Sequence, residues 1–182
     1  LLYTQDDFQL QAMIVLDFSA SMYETNEDID KMTLSAKDLI DSLNETHQVG
    51  VVEFHRPDEP PALLHAFTTY KNAAKEAIDN FSYGKIYRDF SSCWDAVHKG
   101  LKQFPEKPDP NVFKTLAFLS DGFDNSSFNT PDDVIALAKE RDVHIYALGI
   151  GSGKEEKVLE TIALETGGTY VHSENINVLR ER

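Results

Sequence analysis

Cysteine is nearly absent from this chain: Cys93 stands alone among 182 residues. An intrachain disulfide is therefore impossible, and a zinc site built on cysteines is excluded. Cys93 falls in an expected helix, where a buried, inert thiol is the ordinary role. Long apolar runs are missing too. None approaches the roughly 20 residues of a membrane span, so direct membrane insertion is not expected. Basic charge is scarce: 17 Lys and Arg face 31 Asp and Glu, for a net charge of −14. Such a field repels nucleic acid and anionic lipid and removes both as partners. The histidines show no metal-ligand spacing, and no Gly-x-Ser-x-Gly elbow marks a serine hydrolase. Gly149-Ile150-Gly151-Ser152-Gly153-Lys154 resembles a phosphate loop but fits neither phosphate-binding template. Glu155 stands where a P-loop needs Ser or Thr, Leu148 where its first Gly belongs, and Lys154 replaces the third Rossmann Gly. It reads as a closing turn. The chain opens on Leu1-Leu2-Tyr3, with neither an initiator Met nor a signal-peptide pattern. It reads as a single domain over residues 1–182, with its core in 10–175, excised from a longer protein.

What is present is a regular alternation. Ala12-Met13-Ile14-Val15-Leu16 is a branched apolar run, the pattern of a strand buried on both faces. Ile29, Met32, Ala36, Leu39, Ile40 and Leu43 then recur at helical spacing, with Asn26 or Asp28 as the cap. Strands follow at 49–54 and 63–67, joined by the proline-rich loop 56–61 and close enough to pair antiparallel. Helices are expected over 70–81 and from Trp94 through Phe104, where Pro105 and Pro108 end the second. A buried strand at 115–119, a helix opened by Pro131, a strand at 144–150, a helix over 155–166 closed by Gly167-Gly168 and a short strand at 169–171 complete the chain. Six strands alternating with helices predict an α/β fold: a doubly wound, mostly parallel sheet with one antiparallel edge strand and helices on both faces.

Chemistry concentrates where two of these strands end. Asp17-Phe18-Ser19-Ala20-Ser21 follows the first strand, and Ser120-Asp121-Gly122 follows the strand at 115–119. In a parallel sheet both turns open on the carboxyl edge, where ligands bind. Asp17, Ser19, Ser21 and Asp121 offer oxygen donors only, with no His or Cys. That set suits a hard divalent cation such as Mg²⁺. Asp124 falls where it either tunes the rim of such a site or serves a turn, and Phe18, Phe123 and Phe128 fall where they either flank the site or pack. Three Asn-x-Ser/Thr sequons begin at Asn44, Asn80 and Asn125; a glycan on Asn125 would obstruct the site.

Asp17-Phe18-Ser19-Ala20-Ser21-Met22 resembles the Asp-x-Ser-x-Ser motif of the von Willebrand factor A-type domain, also called the integrin I domain. Leu119-Ser120-Asp121-Gly122 is similar to that family's Thr-Asp-Gly strand end, and Gly149-Ile150-Gly151 to its Gly-x-Gly turn. The resemblance spans residues 10–175 and implies a Rossmann-like fold with a metal-ion-dependent adhesion site. It makes Asp17, Ser19 and Ser21 the donors of the first loop and Asp121 the acid of the third. The second loop of the family supplies a Thr ahead of a small-apolar pair on the next helix. Here that pair is Ala96-Val97, which points to Ser91, with Ser92 as the alternative. The local Arg88-Asp89-Phe90-Ser91-Ser92 departs from the family pattern but keeps a ligating hydroxyl, and Asp89 either adds acidity or is solvated. Both serines also suit a helix N-cap.

The implied ion is Mg²⁺, with Mn²⁺ or Ca²⁺ as alternatives, and the implied partner is a protein presenting an Asp or Glu side chain that completes the coordination shell. No enzyme chemistry is expected. Two other readings compete: a metal-dependent hydrolase or phosphatase, and a structural domain with an incidental ion. A haloacid-dehalogenase-type phosphatase needs a second acid where this chain has Ser19. The expected location is extracellular, cell-surface or periplasmic, with the cytoplasm as the alternative.

Overall fold

The computed structural model describes residues 9–23, 26–55, 59–82, 91–107, 109–150 and 155–172. Its elements run β1 (Gln9–Asp17), a 3-10 turn (Ala20–Tyr23), α1 (Asn26–Ser42), β2 (Gln48–Phe54), β3 (Ala62–Thr68), α2 (Lys71–Ser82), α3 (Cys93–Leu101), β4 (Val112–Ser120), α4 (Pro131–Arg141), β5 (His144–Gly149), α5 (Glu156–Glu165) and β6 (Tyr170–His172). The six strands form one sheet in the order β3-β2-β1-β4-β5-β6. Every pairing is parallel except that of β2 with β3, so the antiparallel strand is at the edge, as the sequence predicts.

Successive residues of the central strands feed two separate cores, because side chains alternate across a sheet. Met13 and Val15 of β1 join Val52, Phe54, Leu116 and Phe118 under α3, α4 and α5. Ile14 and Leu16 join Val49, Val51 and Leu119 under α1 and α2. Each large apolar side chain buried this way contributes roughly 1.5–3 kcal/mol. The helices obey the same logic. Ile29, Met32, Ala36 and Ile40 of α1 and Ala74, Ile78 and Phe81 of α2 are buried on one side, and Trp94, Ala96, Val97 and Leu101 of α3 on the other.

Two helix boundaries differ from the periodicity. α3 ends at Leu101, with Lys102 as its C-cap, so Phe104 lies beyond the helix. Phe104 is still buried, reached by a turn in which its N–H bonds Leu101 O, and its own carbonyl accepts from Arg141 Nη1. An apolar residue one turn past a helix keeps the spacing without the hydrogen bonds, which is why the pattern overran. α1 starts at Asn26, which puts Asp28 inside the first turn rather than at the cap.

After α5 the chain passes so close to β5 that only glycine fits. A Cβ on Gly168 would stand 1.8 Å from the Ile145 carbonyl oxygen. Backbone cannot yield as a side chain can. Gly168→Ala should therefore cost about 3 kcal/mol, read as a lower Tm with an otherwise native far-UV spectrum. An unchanged Tm would disprove the close approach.

Candidate metal centre

β1 and β4 lie side by side at the centre of the sheet, and Leu16 pairs with Leu119. Their next residues, Asp17 and Ser120, therefore emerge together at the carboxyl edge. β1 leads to β2 on one side and meets β4 on the other, so this edge is a topological switch point, the usual ligand position in such sheets.

Asp17 is fully buried. Its Oδ1 accepts the Ser19 N–H at 2.9 Å, and its Oδ2 accepts the Ser120 hydroxyl at 2.5 Å. Ser120 Oγ accepts the Gly122 N–H in turn, at 2.9 Å. Gly122 has φ 79°, a conformation that favours glycine and turns the chain sharply after Asp121. Asp121 is partly exposed and accepts the Phe123 N–H. Burial raises the Asp17 pKa to about 7, the Asp121 charge adds to the rise, and the hydrogen bonds from Ser120 and Ser19 offset only part of it. Among the described residues no cationic side chain acts on Asp17 to relieve this.

The second-loop serines sit at the start of α3. Ser91 is held by its main chain: its N–H donates to Asn125 Oδ1, and its carbonyl accepts from the Asn125 and Ser126 amides and from the Ser126 hydroxyl. The Ser91 and Ser92 hydroxyls are buried and, among the described residues, without hydrogen-bond partners. An unsatisfied buried hydroxyl costs about 1–3 kcal/mol, so it is retained only where something else engages it. Ser92 occupies the N-cap position of α3 but makes no side-chain cap bond. That bond comes from another loop: Asp124 Oδ1 accepts the Cys93 N–H, and Ser127 Oγ accepts the Asp95 N–H. The Cys93 thiol below is pushed well up, first by burial and then by the charges of Asp124, Asp17 and Asp121. Three carboxylates thus converge on the first turn of α3.

Among the described residues no group of three or more His, Cys, Asp and Glu forms a metal-binding cluster. An ion here would rest on two carboxylates and hydroxyls. The sequence profile of the von Willebrand factor type A domain matches residues 13–181.

The chain belongs to the von Willebrand factor type A domain family.

Domains of this family are generally adhesion or interaction modules that bind protein ligands, rather than enzymes. Solved structures share the fold at low identity. Proximal thread matrix protein 1 from the mussel byssus, with a zinc-occupied MIDAS motif, is 21% identical with a TM-score of 0.75, over 96% of this chain and 47% of that one. The manganese-loaded TRAP protein of Plasmodium vivax is 18% identical with a TM-score of 0.66, over 96% of this chain and 72% of that one. An aerotolerance-related membrane protein from Bacteroides fragilis is 19% identical with a TM-score of 0.72, over 94% of this chain and 95% of that one. A comparison with curated protein sequences finds no match.

Within this VWA domain, the structure joins Asp17, Ser19 and Asp121 and sets Ser91 and Ser92 at the helix whose first turn faces them. Ser21 lies in the 3-10 turn Ala20–Tyr23, and its side chain is outside the described residues, as are Asp89 and residues 151–154 of the Gly-rich stretch. Phe18 is no rim residue: it is buried against Phe81 in the core under α1 and α2. Asp124 is a helix cap rather than a rim acid. Ser120, which aims Asp17, was not singled out from the sequence; the signal was a hydroxyl at the buried end of an apolar strand.

Linkage fixes the pH response of the metal-free protein. The folded pKa of Asp17, about 7, exceeds its unfolded value of 3.8. Its stabilising contribution is thus complete below the lower value and lost as pH rises through the higher one. Asp17→Asn should flatten this slope and make the metal-free protein more stable than wild type at pH above about 7, in urea melts across the range. Parallel pH profiles for the two proteins would refute the buried, unrelieved carboxylate.

Proposed function

We propose that this VWA domain, acting as one unit, binds a divalent cation through Asp17, Ser19, Ser21, Ser91 and Asp121 and uses it to hold a protein partner by an acidic side chain. Mg²⁺ is the favoured ion, with Mn²⁺ or Ca²⁺ as alternatives. The observation that carries this reading is the pairing of a buried, unrelieved Asp17 with buried serine hydroxyls ahead of α3 that have no hydrogen-bond partner among the described residues. Both defects disappear when a hard cation is bound, since carboxylate and hydroxyl oxygens are its preferred donors. The zinc and manganese carried by two similar structures support a divalent metal of some kind.

When bound, the ion would offer an open coordination position to an outside carboxylate, because two carboxylates and three hydroxyls fill only five of the six places Mg²⁺ takes. The chain's own residues do the rest. Ser120 and the Ser19 amide fix both oxygens of Asp17. Asn125 and Ser126 hold the Ser91 backbone, and its hydroxyl has no hydrogen-bond partner among the described residues. Ser92 is the alternative donor at that loop. A partner Asp or Glu would fill the remaining position, with no nucleophile or general base required. We place the domain at the cell surface, outside the cell or in the periplasm, with the cytoplasm as the alternative. The similar Bacteroides fragilis structure is of a membrane protein, which supports a setting at a membrane. No described helix is long and apolar enough to cross a membrane.

Calorimetric titration with Mg²⁺ and Mn²⁺ tests the ion. Asp17→Ala should abolish binding, and Ser120→Ala should weaken it by roughly 10–100-fold. Of Ser91→Ala and Ser92→Ala, the variant with the larger loss identifies the donor. Binding should release a proton near neutral pH, and affinity should fall as pH drops below about 7, because the proton competes for Asp17. Undiminished binding in Asp17→Ala would sink the assignment. For the partner, capture that survives EDTA would count against a metal bridge.

A further inference from the structure

Phe128 is 97% exposed, the most exposed large apolar residue of the described chain. A single exposed apolar residue is ordinary on a flexible loop. Here the backbone around it is tied down. The Phe128 N–H donates to both carboxylate oxygens of Asp95 at 3.1 Å, and the Asn129 N–H and side-chain amide both donate to Asp95 Oδ1. Thr130 next door closes a capping box with Asp133 at the start of α4. The same loop holds Asp121 and, through Asp124 and Asn125, the first turn of α3. Phe123, between Asp121 and Asp124, is 36% exposed. Two aromatics are thus presented on a fixed loop that begins at the proposed ion site.

We propose that Phe128, with Phe123 inside it, is an apolar anchor of the partner interface, and that the partner segment carries an apolar side chain close to its acidic residue. This rests on the metal-bridged reading above. Charge argues for the anchor. The chain has a net charge of −14, so an acidic ligand meets a repulsive field, and the ion-carboxylate contact is opposed beyond its first shell. Apolar burial is insensitive to that field and to its screening by salt. A rigid aromatic adds it with little loss of conformational freedom, because the loop is ordered before the partner arrives. The occupant is therefore a protein segment, acidic at one position and apolar beside it, rather than a polyacidic stretch, which would meet the full repulsion.

The probe is a phage-displayed peptide library with one fixed Asp and randomised flanks, selected on the intact domain in Mg²⁺ and eluted with EDTA. The selected peptides should carry apolar residues near the Asp. Against a representative of them, Phe128→Ser should bind roughly 10-fold more weakly or worse. Its melting temperature should stay at the wild-type value, since the side chain packs on nothing. EDTA-released peptides with no apolar preference, or equal binding to Phe128→Ser, would overturn the anchor and leave the metal bridge standing. Absence of any EDTA-released peptide would overturn the metal bridge and the anchor with it.

Discussion

Everything at the carboxyl edge of this sheet follows from one carboxylate being carried into the protein by an apolar strand. Ala12 through Leu16 must be buried on both faces, and that fixes where Asp17 emerges. The residue arrives without solvent and beside a second acid. Burial and like charge both favour its neutral form, and the hydrogen bonds from Ser19 and Ser120 hold it in place without curing the imbalance. A carboxylate held in this way is costly in its ionised form.

The surrounding loops solve a second problem, that of leaving a hydroxyl unused. Serine ahead of a helix ordinarily spends its side chain on the helix's own amides. In this domain the loop after β4 takes over that duty. Asp124 and Ser127 receive amides of α3, Asp95 returns the favour to the amides of Phe128 and Asn129, and Asn125 and Ser126 bind the backbone of Ser91. The exchange stiffens two loops at once and leaves the Ser91 and Ser92 hydroxyls without a hydrogen-bond partner among the described residues.

Much of this was legible in the residues. Continuous apolar runs, helical spacing and the short link between two strands were enough for the mostly parallel sheet, the antiparallel edge and the placement of Asp17 and Asp121 on one edge, because buried strands and one-sided helices leave a direct imprint on apolar spacing. What depended on through-space partners was not legible. Phe18 follows Asp17 in sequence, yet it turns back into the core onto Phe81, a contact that local spacing does not encode. Asp124 read as a turn or rim acid, because nothing near it in sequence reveals that α3 is missing a cap. Ser120 was passed over for the same reason: its significance is a bond to a residue on another strand.

That bond has a temporal consequence. Ser120 and Asp17 are 103 positions apart, and they meet only when β4 docks beside β1. Bringing such distant segments together is among the slower and more entropically demanding events available to a chain of this size. The pairing of Asp17 with Ser120 thus waits on β4 and is not a property of the first loop alone. On a ribosome that pairing is missing until β4 has emerged, so a nascent or truncated chain that displays Asp17 through Ser21 has the motif without the hydroxyl that aims its carboxylate.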